Sequence, residues 1–267
     1  MRYLVAGDSK SAPPLLLIHG LLGYSFSWRN NLSALAENRR VYAIDLPGVG
    51  FSERVPGLDC SLSAMAERLL CFLREQGIAS VDIVGTSHGG GLAMVLSAMA
   101  RERAIGIRKL VLVAAVNPWS RHGIAITSFL GTKIGAGLFR SIQLFAGFSH
   151  RIALTRMYGD RRRISPGTLQ GYSAPLKIKG TMDHVLKIAA CWQSDLDTIK
   201  DTLPRIADLP TLLVWGDRDR AVLPSSAPQL QAQFKNAELR VIKTAGHLPY
   251  EEMPEEFNRV LIEFLEK

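Results

Sequence analysis

One stretch constrains this chain more than any other: Val81-Asp82-Ile83-Val84-Gly85-Thr86-Ser87-His88-Gly89-Gly90-Gly91. Val81, Ile83 and Val84 are β-branched and apolar, as a strand covered on both faces requires. Leu92, Val95, Leu96 and Met99 then recur at helical spacing. A strand and a helix are thus separated by almost nothing. Glycines two residues either side of Ser87 suit a turn too sharp for bulky flanks. Such a turn lifts the serine oxygen out of the bend at the carboxyl end of the strand and aims the next helix N-terminus at it. This is the nucleophile-elbow pattern.

The rest of the chain repeats the strand–helix rhythm. Strands are expected at 2–6, 15–18, 41–44, 109–115, 211–215 and 238–243, and helices at 31–37, 61–76, 225–234 and 255–266. Leu62, Met65, Ala66, Leu69 and Leu73 give the second helix one apolar face, and Gly77 closes it. Strands alternating with helices predict an α/β fold, a parallel sheet with helices on both faces. Residues 117–200 break the rhythm: they hold no buried-strand signal but many aromatic residues, Trp119, Phe129, Tyr158, Tyr172 and Trp192 among them. With no Pro/Gly/Ser-rich linker on either side, they read as a mostly helical cap inserted into one core domain, 1–116 plus 201–267.

Composition narrows the function classes. Lys and Arg exceed Asp and Glu by 32 − 24 = 8, which mildly favours anionic ligands. The basic residues are dispersed and accompany no binding motif, so nucleic acid is not an expected partner. The tightest cluster, Arg161-Arg162-Arg163, reads as a solvated loop. Three cysteines, Cys60, Cys71 and Cys191, without metal-ligand spacing read as reduced thiols in a cytoplasmic protein. Residues 1–10 lack a signal-peptide core. The greasy region 124–148 is interrupted by Lys133, Arg140 and four glycines, so stable membrane insertion is not expected. A lid touching lipid is the alternative reading of that region. A monomer or homodimer is expected.

A serine hydroxyl is a poor nucleophile at neutral pH; it needs a base within hydrogen-bond reach, and the base needs an orienting carboxylate. His247, in Ala245-Gly246-His247-Leu248-Pro249, stands in a fixed loop after the last strand and is the expected base. His122, His150 and His184 fall in the cap. The acid belongs one strand earlier, where Trp215-Gly216-Asp217-Arg218-Asp219-Arg220 offers two carboxylates. Asp219, deeper in the loop, is the expected acid, and Asp217 a turn former. The other place for an acid, Val116-Asn117-Pro118, carries none. Negative charge developing on a substrate oxygen also needs waiting N–H donors. The expected pair is the backbone N–H of His88 and that of Leu21, with Leu22 as second choice. The His19 side chain is expected to hold its loop.

His19-Gly20, Asp45-Leu46-Pro47-Gly48-x-Gly50-x-Ser52, Gly85-x-Ser87-x-Gly89-Gly90, Trp215-Gly216-x-x-Asp219 and Gly246-His247 occur in the order and spacing of the α/β-hydrolase superfamily, which the chain resembles over nearly its whole length. The resemblance implies an eight-stranded, mostly parallel sheet, a cap over the site, and Ser87, Asp219 and His247 as a catalytic triad. His88 is a departure, since many members of that superfamily carry methionine or another residue there. Within that superfamily the serine elbow points first to an esterase working through an acyl-enzyme, and the aromatic and aliphatic cap to a small, largely apolar ester, with no metal and no organic cofactor expected. Carbon–carbon bond hydrolysis, thioester hydrolysis and acyl transfer are the enzymatic alternatives, and a ligand-binding receptor of the same shape is the non-enzymatic one. Ser87 argues against the haloalkane dehalogenases and epoxide hydrolases, which use aspartate.

Overall fold

The β-rich runs pair as one sheet. A computed structural model describes residues 1–120, 129, 130, 132, 134, 135, 137, 138 and 146–267, the side chains of 146–151 excepted. Among them are β1 (Tyr3–Ala6), β2 (Leu15–Ile18), β3 (Val41–Ile44), β4 (Ser80–Thr86), β5 (Gly106–Val113), β6 (Thr211–Gly216) and β7 (Ala237–Ile242). Their spatial order is β1-β3-β2-β4-β5-β6-β7, and edge strand β1 alone runs antiparallel to its neighbour. The described residues therefore supply seven strands where the resemblance implied eight. Between β1 and β2 lie only residues 7–14, with Gly7 at φ 73° and two prolines that lack N–H donors. No further strand fits there.

Alternation along the strands divides the core between the two faces of the sheet. Leu16 and Ile18 of β2 face α2 (Leu62–Glu75), α3 (His88–Glu102) and the end of a later helix (Thr181–Ile206), packing with Met65, Leu69, Leu96, Ile199 and Leu203. Leu15 and Leu17 face α1 (Leu32–Leu35) and the closing helix, packing with Leu35, Phe257 and Leu261. Each such side chain, fully buried, contributes about 1.5–3 kcal/mol. Ser61 Oγ caps α2 by accepting the Ala64 N–H at 3.3 Å. The closing helix is tied at its far end by Lys109 Nζ, which donates to Phe264 O and Leu265 O, both at 2.9 Å, the favourable place for a cation.

The interval 117–200 holds α4 (Ala146–Met157), α5 (Thr168–Ser173) and the first part of α6 (Thr181–Ile206). α6 passes position 200 without a break, so this segment re-enters the core along one helix. The region 124–148, read above as greasy or lid-like, lies largely outside the described residues. Three short elements follow β6 and β7: α7 (Ala227–Gln231), α8 (Pro249–Glu252) and the closing helix α9 (Pro254–Glu266). No described helix is long and apolar enough to cross a membrane. The three cysteines are free.

Candidate active site

Ser87 sits between β4 and α3 at φ 52°, ψ −122°, a left-handed conformation that a non-glycine residue adopts only when its surroundings impose it. Here they do. Its N–H donates to Val113 O of β5 at 2.9 Å, and its carbonyl accepts from Gly90 at 2.9 Å and Val116 at 3.0 Å. The glycines make the bend possible by leaving space. A Cβ on Gly85 would stand 2.3 Å from Gly89 O, and one on Gly89 2.2 Å from His19 O. One on Gly20 would stand 2.9 Å from Ser87 Cβ.

The loops after β6 and β7 bring the expected base and the expected acid together. His247 Nδ1 donates to Asp219 Oδ2 at 2.9 Å, and both side chains are almost wholly buried. Asp219 Oδ1 is fixed by the N–H groups of Ala221 (2.8 Å) and Val222 (3.1 Å). Asp217 does something else: it accepts the Thr244 N–H at 2.6 Å, shaping the turn. In the neutral ring this bond puts the proton on Nδ1 and the lone pair on Nε2, the tautomer a general base needs. Ser87 stands at the same end of the sheet, half-buried, with no hydrogen bond between Ser87 Oγ and His247 Nε2 among the described contacts. Such contacts often tighten only when substrate binds.

The two N–H groups expected to receive negative charge are those of Leu21 and His88, and neither donates to an acceptor among the described residues. The loop carrying Leu21 is held from both sides. His19 Nδ1 donates to Gly20 O at 2.8 Å, and His19 Nε2 accepts the Leu46 N–H at 3.0 Å. Burial lowers the His19 pKa, so its ring stays neutral in this holding role. Leu22, next in the loop, is itself at φ 61°. Further out, Asp45 accepts the N–H groups of Ser25 and Phe51, both at 2.8 Å. Burial pushes Asp45 up, but these bonds and Arg2 outweigh it and leave its pKa lowered.

Two carboxylates that the sequence reading passed over lie behind the base. Glu252 accepts the N–H of Gly246, the residue before the base, at 2.6 Å. It also accepts those of Gly159 (2.9 Å) and Asp160 (3.3 Å), just past α4. The His247 N–H donates to Met157 O at 2.7 Å, in the same junction. Glu251 takes the hydroxyls of Tyr158 (2.9 Å) and Tyr172 and the Arg29 guanidinium (2.8 Å). Burial raises the pKa of both glutamates. The sequence signal is faint, because two acids opening a short helix look like ordinary helix N-terminal charges. The triple arginine is not simply solvated: Arg162 bonds Asp160 at the surface, while Arg163 turns in to Thr244 O (3.1 Å) and Oγ1 (2.8 Å).

A family model described as the alpha/beta hydrolase family matches residues 15–260. The chain belongs to that family. Among its relatives, this alpha/beta hydrolase is 29% identical over 259 residues to the dihydrolipoyllysine-residue acetyltransferase component of the acetoin cleaving system of Pseudomonas putida. The match takes in 95% of this chain and 64% of that longer protein, just under two thirds of its length. It is 31% identical over 271 residues to a 2-hydroxymuconate semialdehyde hydrolase of the same species, covering 97% of this chain and 89% of that one. A thermophilic esterase from Thermogutta terrifontis shares the fold with a TM-score of 0.81 at 24% identity, over 99% of this chain and 92% of the other.

Proposed function

We propose that this alpha/beta hydrolase cleaves carboxylic esters of small, largely apolar substrates through an acyl-enzyme on Ser87. The observation that carries the reading is the 2.9 Å contact from His247 Nδ1 to Asp219 Oδ2. It engages Nδ1 and leaves Nε2 clear of Asp219, at the sheet end where Ser87 is held at φ 52°. In this reading Ser87 Oγ attacks the ester carbonyl while His247 Nε2 takes its proton. The tetrahedral oxyanion rests on the N–H groups of Leu21 and His88, and each donor of this kind is worth about 10²–10³ in rate. The imidazolium, steadied by Asp219, then protonates the departing alcohol, and a water activated by the same nitrogen clears the acyl group. Residues 117–200 form the cap that shapes the substrate's side arms, and the free thiols fit a reducing, cytoplasmic setting.

A fluorophosphonate probe tests the nucleophile: it should label the protein at Ser87 and leave Ser87→Ala unlabelled. An unlabelled wild type would favour a ligand-binding receptor instead. Chain-length profiling on p-nitrophenyl esters tests the substrate class. A second reading, carbon–carbon bond hydrolysis, is favoured by the name of the 31% identical relative. Turnover of a vinylogous diketone with none of any ester would establish it in place of the first.

A further inference from the structure

β7 (Ala237–Ile242) is one edge of the sheet, paired with β6 on one side only. The Thr211 N–H donates to Asn236 O at 3.0 Å, and the Asp217 N–H to Ile242 O at 3.2 Å. Even-numbered residues of β7 therefore turn their backbone groups to β6, and Ala237, Leu239 and Val241 turn theirs outward. Among the described residues one of these outward groups is taken: Ala237 O accepts Gln231 Nε2 at 3.1 Å, and a carbonyl has a second lone pair for a further N–H. The outward groups of Leu239 and Val241 have no partner there, and the Val241 side chain is exposed. An edge of this kind is a template for another strand.

Charged side chains on an edge ordinarily keep a second strand away. Here their order does the opposite. Glu238 and Arg240 stand on one face of β7, bonded to each other at 3.2 Å and both partly exposed. Lys267 Nζ also reaches Glu238, at 2.6 Å. The opposite signs of Glu238 and Arg240 are symmetric about Leu239. We propose that this edge is the interface of a homodimer, in which two copies of the chain pair β7 antiparallel about Leu239 and join their sheets. Leu239 then meets Leu239 of the second copy, Ala237 meets Val241, and Glu238 meets Arg240. The odd-numbered residues form the hydrogen-bonded pairs, because their N–H and C=O groups already point outward. The Glu238–Arg240 pairs fall at the positions between, where facing side chains come closest. On the other face Val241 covers itself against Ala237 of the second copy. Charge also selects the register. Centring the pairing on Glu238 or on Arg240 keeps the backbone bonds but sets Glu against Glu, or Arg against Arg. Lys235 and Lys243, exposed just beyond the two ends of β7, face each other across the two copies and end the ladder there.

Sedimentation equilibrium of the full chain tests the interface. The wild type should be dimeric at about 100 μM. Glu238→Arg and Arg240→Glu each set like charges opposite one another at two symmetric places, and each should raise the dimer Kd roughly tenfold or more. Mixing the two variants puts Arg opposite Glu at both places, so a heterodimer should form where neither variant associates with itself. One chain carrying both changes should dimerise as the wild type does. Amide hydrogen exchange gives a reading that needs no variant: the Leu239 N–H should exchange more slowly as the wild-type concentration rises, because only pairing covers it. A wild type that is monomeric at that concentration, or a dimer that neither charge reversal weakens, overturns the proposal. Nothing here is read from turnover, so the outcome is independent of the ester reading.

Discussion

Replacing Glu252 by alanine removes one acceptor shared by two parts of the molecule, the base loop and the end of α4. The wild-type carboxylate receives three backbone N–H groups, those of Gly246, Gly159 and Asp160. Gly246 is buried, so its N–H finds no water once the carboxylate is gone, at about 1–3 kcal/mol. Gly159 and Asp160 are half-buried and exchange their bonds for hydration, at about 0.5–1.5 kcal/mol each. Arg163, 3.8 Å away and partly exposed, adds little. The sum is about 2–6 kcal/mol, a large part of the stability of a domain. At roughly 2–4 °C per kcal/mol for a chain of this size, the melting temperature should fall by about 10 °C. Urea unfolding of the two proteins side by side measures the same quantity with less exposure to aggregation. Glu252→Gln is the control: its one oxygen can stay with Gly246, so the base loop holds while the amide N–H₂ faces the N–H groups of Gly159 and Asp160. Its kcat should sit well above that of the alanine variant. Equal stability of wild type and Glu252→Ala would refute the view that this carboxylate holds the base loop.

Three further outcomes follow from the same geometry. Asp219→Asn should lower kcat by about 10⁴ on any substrate the protein turns over, with the folded structure retained; steady-state kinetics with circular dichroism checks both. Gly89→Ala places a Cβ 2.2 Å from His19 O, a backbone atom that cannot step aside, so the variant should lose more than about 3 kcal/mol or fail to accumulate; expression and thermal melting show which. Burial lowers the His88 pKa to about 4 in the native state, against 6.5 unperturbed, so the native state binds fewer protons between those values. The stability linked to this group is present above pH 6.5 and lost as pH falls to about 4, a change of about 3 kcal/mol. His88→Leu should flatten that part of the acid-side stability curve, and urea melts at pH 4, 5 and 7 would reveal it.

How much of this was legible in the sequence depended on range. The elbow was readable because its demands are local: a β-branched strand, small residues beside Ser87 and an apolar helix directly after. The loops carrying Asp219 and His247 were readable for the same reason, as each follows its own strand. The strand count was not, because the eighth strand came from resemblance and the segment between β1 and β2 has its own prolines. Nor was the link from Glu252 to Gly159, which spans 93 positions and joins a carboxylate to backbone amides that have no side-chain signature. Asp195, buried where it accepts the Leu62 N–H, escaped notice because an acid on a long helix ordinarily faces water, and only packing against α2 and α3 turns this one inward.

The bond from the His247 amide to Met157 O has a practical consequence for anyone grafting variable segments between members of the family. A chimera that swapped everything from residue 117 to residue 200 would import a foreign stretch at 157–160 and detach the imidazole from its mooring. Splice points that leave those four positions native would let the rest of the segment change while the His247 loop kept its footing.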